Sequence, residues 1–378
     1  AVGLTLDEID NDITKKTPAC FEPTLDYVVV KFPRWNFEKF HGASRNLGTA
    51  MKSVGEAMGI GRTFAEALLK AISSLEGGYS DARQWTDQEI RERLAIPTPD
   101  RMPALFEALR RGWDPSDVHR ITGIDRWFMY EMNTIIGCEE QLAGRFLEDV
   151  SAVELRRAKR LGMPDSFLAR ILGTNEAAVR ARRESEGIVP VFKRVDTCAA
   201  EFESFTPYLY STFEEECESG GAENERVIIL GNGPNRIGQG IEFDYCCCHA
   251  SFAVQDAGFT SVMINNNPET VSTDYDTSDK LYFEPITAEH VGNVLGHEKP
   301  KGVILQFGGQ TPLKLSHEIG PILGTPADAI DLCEDRERFN ALMNELNIRQ
   351  PQGAMAHDRA EAIAAKDALG FPLLVRPS

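Results

Sequence analysis

A short apolar segment followed by a glycine-rich loop constrains the fold of this chain more than any other feature. Residues 227–230 form a continuous apolar run, which is typical of a strand buried in a parallel sheet. The run ends at Gly231, and the loop that follows also contains Gly233, Gly238 and Gly240. Glycine accepts positive φ angles and leaves room for a ligand, so a strand, such a loop and a helix predict a nucleotide or phosphate site in an α/β domain.

The same loop departs from the dinucleotide-binding fingerprint. That fingerprint places its third glycine at position 236, where this chain has Arg236. The predicted strand at 261–265 also lacks an obvious acid at its end that could bind a ribose. An unrelated nucleotide-binding oxidoreductase is therefore disfavoured. A tight turn that binds nothing is the alternative for the glycines, because a lone glycine-rich turn is weak evidence.

Composition narrows the class of protein. The formal net charge of −18 opposes a general nucleic-acid or anionic-membrane role, and no apolar run approaches the roughly 20 residues that span a bilayer. The eight cysteines show no CxxC spacing, which favours reduced, buried thiols in a cytoplasmic protein. At 378 residues the chain can hold roughly two or three domains. Both of its ends are expected to be boundaries inside domains of a longer protein.

The first half of the chain changes from mixed to helical character. Residues 1–78 predict a strand at 26–32 and a helix from about 64 to 76 that Thr63 caps. Residues 79–220 predict about seven short helices, two of them beginning with capping boxes, and then a connector with an extended segment. Two helix pairs here could be mistaken for helix-turn-helix DNA readers, but the acidic chain favours packing or subunit contact.

The second half alternates strands and helices. Residues 221–325 have the spacing of βαβ units, with strands predicted at 226–230, 261–265, 280–283 and 302–306. Polar loops follow three of these strands, at 231–240, 265–274 and 308–312. Ligands bind at the carboxyl ends of strands in open α/β sheets, so these loops are expected to meet at one edge. Residues 326–378 predict helices at 331–346 and 358–369, and a strand at 372–376.

Several segments together resemble the large chain of the carbamoyl phosphate synthase family. The most specific is GNGPNRIGQGIEFDY at 231–245, followed by NPETVSTDYDTSD at 267–279. The other segments that carry the resemblance are 17–23, 51–56, 195–202, 306–315 and 334–339. The resemblance covers nearly the whole chain in order, so it is far more specific than a single glycine-rich loop.

The resemblance implies an α/β fold combined with an all-α part, in four regions. Residues 1–78 would be the carboxyl-terminal tail of the carboxyphosphate ATP-grasp half, and 79–220 the helical oligomerisation domain with its connector. Residues 221–325 would be the Rossmann-like pre-ATP-grasp domain of the carbamoyl phosphate half. Residues 326–378 would begin the second ATP-grasp domain, which continues in the parent protein.

The family reaction, as the resemblance implies it, converts bicarbonate, glutamine-derived ammonia and two ATP into carbamoyl phosphate for arginine and pyrimidine biosynthesis. The parent enzyme would be an ATP-dependent ligase that uses ATP, Mg²⁺ (or Mn²⁺) and K⁺. Its partners would be a glutaminase small subunit and further copies of itself, with no nucleic acid and no membrane. This part of the chain is expected to be inactive alone and to bind none of the cofactors.

Individual site residues follow from the same resemblance. Arg236, Gly240 and Glu242 match positions along an internal passage for carbamate, and Arg336 and Arg376 match positions near the ATP phosphates. No catalytic residue and no metal ligand is expected within the chain. The alternative function is a structural module, in which a helical contact domain and a Rossmann-like domain serve assembly without catalysis.

Overall fold

A computed structural model describes residues 3–12, 14–22, 24–75, 84–196, 199, 201–202, 205–221, 224–233 and 240–375. The chain divides into two compact units, Ala1–Leu323 and Gly324–Ser378. Within the described ranges, no helix is both long and apolar enough to cross a membrane.

The first unit begins with an antiparallel ribbon and a helix packed on it. Strands β1 (Val28–Arg34) and β2 (Gly55–Gly61) pair along their length, and helix α1 (Phe64–Ser73) follows. The predicted cap is confirmed, because Thr63 Oγ1 accepts a hydrogen bond from the Glu66 amide at 3.2 Å. Strand β2 is absent from the predictions since three of its seven residues are glycines, which are depleted in strands.

Seven α-helices come next, which confirms the number predicted for the part of residues 79–220 that the structure describes. They are α2 (Asp87–Ala95), α3 (Arg101–Arg110), α4 (Pro115–Thr122), α5 (Arg126–Leu142), α6 (Ala152–Arg160), α7 (Asp165–Ile171) and α8 (Glu176–Ser185). Capping boxes start α2 and α6, as predicted. The helices share one apolar core with Phe32 of the ribbon and Leu68 of α1, so ribbon and helices pack as one body.

A six-stranded sheet completes the first unit, in the order β3-β4-β7-β6-β5-β8. Its strands are β3 (Val191–Arg194), β4 (Tyr208–Thr212), β5 (Arg226–Leu230), β6 (Thr260–Asn265), β7 (Lys280–Phe283) and β8 (Gly302–Ile304). Strands β5 to β8 confirm the four predicted strands and are parallel to their neighbours. The predicted connector contributes β3 and β4 to this sheet, because β4 pairs with the distant β7. Helix α9 (Ile241–Asp256) links β5 to β6, α10 (Ala288–Glu298) links β7 to β8, and α11 (Gln310–Leu313) follows β8.

The second unit contains three described helices, α12 (Ala327–Glu334), α13 (Arg336–Glu345) and α14 (Arg359–Leu369). The single helix predicted at 331–346 is wrong, because Asp335 ends α12 and caps α13 by accepting from the Arg338 amide at 2.9 Å. Helix α14 confirms the second predicted helix. The predicted strand at 372–376 is wrong for residues 372–375, which form no strand, and Arg376 lies outside the described residues.

Seven of the cysteines lie in the described part of the chain, and all seven are free. Cys138, Cys247 and Cys248 are buried, as expected for structural thiols. The expectation of buried thiols is wrong for three others, which are exposed: Cys20, Cys217 and Cys333.

A buried ionic cluster joins the helices to the layer around the sheet. Lys159 of α6 is 1% exposed, and its Nζ lies 2.9 Å from Asp165 Oδ1 and 2.6 Å from Glu289 Oε1 of α10. Arg183 of α8 is fully buried and donates hydrogen bonds to Asp165 Oδ2 at 2.8 Å and to Asn293 at 3.0 Å. Each buried charge therefore has an opposite partner, which offsets the large cost of removing it from water.

His290 of α10 makes the stability of the first unit depend on pH. Burial lowers the pKa of His290 from 6.5 to about 4, so the ring is neutral in the folded protein. Its contribution to stability is present above pH 6.5 and is lost as the pH falls toward 4, by roughly 3 kcal/mol. We expect His290→Gln to remove most of this loss. Urea unfolding followed by tryptophan fluorescence measures it, since all four tryptophans lie in the first unit.

The matched control for His290 is the exposed His41, because His41→Gln should leave the pH dependence of unfolding unchanged. A His290→Gln variant whose stability falls with acid as steeply as that of the parent sequence would contradict the assignment.

Candidate functional site

Three polar loops meet at one edge of the parallel sheet, as predicted. Strand β5 lies between β6 and β8 and is parallel to both, so the carboxyl ends of the three strands fall on the same side. The loops that leave this edge begin at Gly231, Asn266 and Leu305. The amide of Gly231 donates to the Ile264 carbonyl at 2.9 Å, which extends the strand pairing into the first loop.

Buried asparagines hold the loops together. The side-chain oxygen of Asn265 accepts from the amides of Gly233 at 3.3 Å and Asn267 at 3.0 Å. Asn232 donates to Thr311 Oγ1 at 2.8 Å and so links the first loop to α11. Because Asn265 and Asn267 are almost fully buried and hydrogen-bonded, the described residues of this edge form a rigid platform.

The beginning of α9 carries two of the predicted passage residues. Gly240 is the amino-terminal cap residue, and Glu242 lies in the first turn with its side chain folded back onto Gly240. A Cβ atom built at Gly240 would lie 1.9 Å from Glu242 Oε2. An acid in the first turn interacts favourably with the helix dipole. At the start of α9 the Glu242 carboxylate therefore occupies the space in which a phosphate group would bind, which disfavours a phosphate site here.

The amino-terminal ribbon packs against the same edge of the sheet. The Met58 amide of β2 donates to the Asn266 carbonyl at 2.8 Å. Lys31 of β1 lies 2.8 Å from Glu56 Oε1 and forms a second ion pair with Glu269, which is in the loop after β6. Hydrogen bonds to Glu269 and Glu56 raise the pKa of Lys31, and the ammonium group lowers the pKa of Glu269.

The predicted site residues fall in three places. Gly240 and Glu242 are adjacent at the edge of the sheet, whereas Arg236 lies outside the described residues. Arg336 is the first residue of α13 in the second unit, where it is exposed, and Arg376 lies outside the described residues. The sequence patterns did not predict the ion pairs of Lys31 with Glu56 and Glu269. Glu56 and Glu269 belong to motifs that signalled the site, but no local pattern places Lys31 beside them.

Metal ligands are not grouped in the described part of the chain. Within it, no cluster of three or more histidine, cysteine, aspartate or glutamate side chains could hold a metal ion.

A substitution at Gly308 tests how closely the loop after β8 must approach the end of β5. A Cβ atom at this position would lie 2.4 Å from the carbonyl oxygen of Leu230, which is backbone and cannot move aside cheaply. We expect Gly308→Ala to destabilise the first unit by about 1–3 kcal/mol in urea unfolding followed by tryptophan fluorescence.

Gly296 provides the matched control for this substitution. It lies inside α10, and a Cβ atom at this position would meet no atom within 4 Å outside its own helix. Gly296→Ala should therefore be neutral or slightly stabilising, because alanine is a better helix former than glycine. Equal effects at the two positions would show that Gly308 is not required for close approach.

Comparison with known proteins connects these features to one family. Residues 56–187 match the family model described as the carbamoyl-phosphate synthetase large chain, oligomerisation domain. Residues 223–332 match the model described as the carbamoyl phosphate synthase preATP-grasp domain. A solved biotin carboxylase domain of a single-chain bacterial carboxylase is 17% identical, covers 38% of this chain and 34% of its own, and has a TM-score of 0.28, which is too low to bear on the fold.

Curated relatives align with the whole chain. The carbamoyl phosphate synthase large chain of Archaeoglobus fulgidus is 54% identical over 392 residues, with 100% of this chain and 36% of the relative covered. The arginine-specific large chain, chloroplastic, of Arabidopsis thaliana is 50% identical over 402 residues, with 100% and 34% covered. The chain thus spans about a third of the length of the curated relatives that it matches. With two matching domain models in order along it, the chain belongs to the family of carbamoyl phosphate synthase large chains.

Proposed function

We propose that the chain is the central part of a carbamoyl phosphate synthase large chain. The parent protein would be a glutamine-hydrolysing, ATP-dependent ligase that makes carbamoyl phosphate from bicarbonate, ammonia and two ATP, for arginine and pyrimidine biosynthesis. The observation that carries this proposal is the order of the two matched domains, oligomerisation at 56–187 and pre-ATP-grasp at 223–332, in a chain that aligns from end to end with such large chains.

The proposed division of labour follows four regions. Residues 1–78 would end the carboxyphosphate half, and 79–220 would form the oligomerisation domain and its connector. Residues 221–325 would form the pre-ATP-grasp domain of the carbamoyl phosphate half, and 326–378 would begin its ATP-grasp domain. The contacts of Lys31 with Glu269 fit this division, because they would attach the tail of one half to the sheet of the next.

The edge of the sheet would line a passage for carbamate rather than bind a nucleotide. Gly240 and Glu242 would form part of its wall together with Arg236, and the rigid asparagine platform would keep the wall in place. The conformation of the Glu242 side chain, which turns back onto Gly240, supports this assignment. It places a carboxylate where a phosphate site would need free amide donors. Such a wall would keep an unstable intermediate away from bulk water.

The nucleotide would bind elsewhere in the parent. Arg336 and Arg376 would contact the ATP phosphates, since guanidinium groups recognise phosphate oxygens in a bidentate manner. ATP, Mg²⁺ (or Mn²⁺) and K⁺ would be the cofactors of the parent. When bound, the metal would neutralise phosphate charge during phosphoryl transfer.

The proposed partners are a glutaminase small subunit and further copies of the chain, in the cytoplasm. The description of residues 56–187 as an oligomerisation domain supports self-association. The relatives from Arabidopsis and rice are named as chloroplastic.

Assay of the full-length parent with its glutaminase subunit tests the proposal. We expect carbamoyl phosphate to form only when bicarbonate, ATP and glutamine or ammonia are present, with two ADP released for each product. The isolated chain should show no bicarbonate-dependent ATP hydrolysis. A parent that does not make carbamoyl phosphate, or an isolated chain that turns over ATP, would overturn it.

Self-association of the isolated chain tests the proposed assembly role separately from the proposed enzymatic activity. Light scattering on the 41.9 kDa chain should give a mass of at least two copies at high concentration. Deletion of the second unit, residues 324–378, should leave this self-association unchanged. A monomer at all concentrations would contradict the assignment of the helices to oligomerisation and would leave the enzymatic proposal standing.

A further inference from the structure

An apolar cavity lies between the ribbon and the helices. Its volume is about 400 Å³, within the range of small-molecule sites. The walls come from β1, α1, α3 and α5 and from the turn around Pro97. Aromatic and aliphatic side chains dominate them, among them Phe32, Trp35, Phe64 and Leu105.

One cation in the cavity wall has an unused hydrogen-bond donor. Arg101 donates from Nη2 to the Ala95 carbonyl at 3.1 Å, but its buried Nε has no acceptor. The charge of the other lining cation, Lys31, is already paired with Glu56 and Glu269. Among the described residues that line the cavity, none is acidic. The apolar wall of the cavity therefore carries one guanidinium charge that no acidic lining residue balances.

The position of Arg101 at the start of α3 also makes its positive charge unfavourable. Arg101 is the first residue of α3, where the helix dipole disfavours a cation. The first turn has no acidic residue, and the preceding Asp100 makes no side-chain cap and pairs with Arg45 at 3.1 Å. Burial also lowers the pKa of Arg101, because no nearby acid compensates the lost hydration. An anion beside Arg101 would accept a hydrogen bond from Nε, offset the unfavourable helix dipole and compensate the lost hydration of the guanidinium group.

Three methionines make the cavity adaptable. Met102, Met129 and Met132 line it, and the unbranched thioether side chain repacks around ligands of different shape. A site with one cation and flexible apolar walls suits a ligand with an apolar body and a single negative group. It does not suit a nucleotide, whose phosphates would need several cations or amide donors.

We propose that this cavity is a binding site for a small amphipathic organic anion, whose carboxylate pairs with Arg101 and whose apolar body packs against the aromatic and methionine walls. None of the residues proposed to line the carbamate passage or to contact ATP lines this cavity. It lies where the ribbon and the helices share one core, so an occupied cavity would stabilise this junction.

Methionine NMR on the complete chain tests the proposal with two matched probes, 4-phenylbutyrate and the neutral 4-phenylbutan-1-ol. The chain has nine methionines, and ¹³C-methyl labelling should show shifts concentrated at Met102, Met129 and Met132. We expect the anion to bind about tenfold more tightly than the alcohol, because a charge-assisted hydrogen bond forms.

Variants separate the charge from the cavity. Arg101→Gln should reduce anion binding about tenfold and leave the alcohol unchanged, and Arg101→Lys should retain most of the preference. Arg126→Gln is the control, since Arg126 is exposed on α5 and does not line the cavity. Equal affinity for the two probes, shifts at other methionines, or no shift at millimolar probe would each overturn the proposal.

Discussion

Replacing Lys159 with methionine is expected to destabilise the first unit by about 3–5 kcal/mol. Lys159 is 1% exposed and lies between Asp165 and Glu289, and its Nζ also donates to the Met163 carbonyl at 2.7 Å. Removal of the ammonium group would leave Glu289 buried without a cation in the cluster. Urea unfolding followed by tryptophan fluorescence reports this loss.

Arg157 is the matched control for Lys159. It lies on the same helix but is exposed, so Arg157→Met should change the free energy of unfolding by no more than about 0.5 kcal/mol. A Lys159→Met variant that loses less than about 1 kcal/mol would show that the cluster does not hold the helices against α10.

Under the proposed function, Gly240→Leu in the full-length parent is expected to lower the yield of carbamoyl phosphate per glutamine hydrolysed by roughly an order of magnitude. The reason is steric, because even a Cβ atom at position 240 would displace the Glu242 carboxylate. Glutamine hydrolysis should continue while the intermediate is lost before it reaches the second site. Simultaneous measurement of glutamate and carbamoyl phosphate gives the ratio.

Gly221→Leu controls for a bulky residue elsewhere in the first unit, because a Cβ atom at Gly221 would meet no atom within 4 Å. It should leave the ratio of carbamoyl phosphate to glutamate unchanged. An unchanged ratio in Gly240→Leu as well would remove Gly240 from the passage, although it would not affect the family assignment.

Elements with local signals could be predicted from the sequence. Strand β5 is a continuous apolar run ended by a glycine, and helices α2 and α6 begin with capping boxes, so their limits depend on residues close together in the chain. The split at Asp335 was missed although its signal is local, because an aspartate can occupy a solvated helix face as well as a cap.

The candidate site was predicted in part for the same reason. The three loops were expected at one edge because parallel strands align their carboxyl ends, and the order of β6, β5 and β8 in the sheet confirms it. The docking of the ribbon on this edge could not be predicted. Lys31 and Glu269 are 238 residues apart, and no pattern in either segment specifies the other.

The sequence by itself determined the βαβ alternation, the seven helices and the motifs at the sheet edge, because each depends on hydrophobic periodicity, caps or glycine within a few residues. Tertiary structure alone decided the addition of β3 and β4 to the sheet, the burial of Lys159 between two carboxylates and the position of Arg101 in an apolar cavity. These features need surfaces from distant segments, since a strand edge, a buried charge or a cavity is defined by what packs against it.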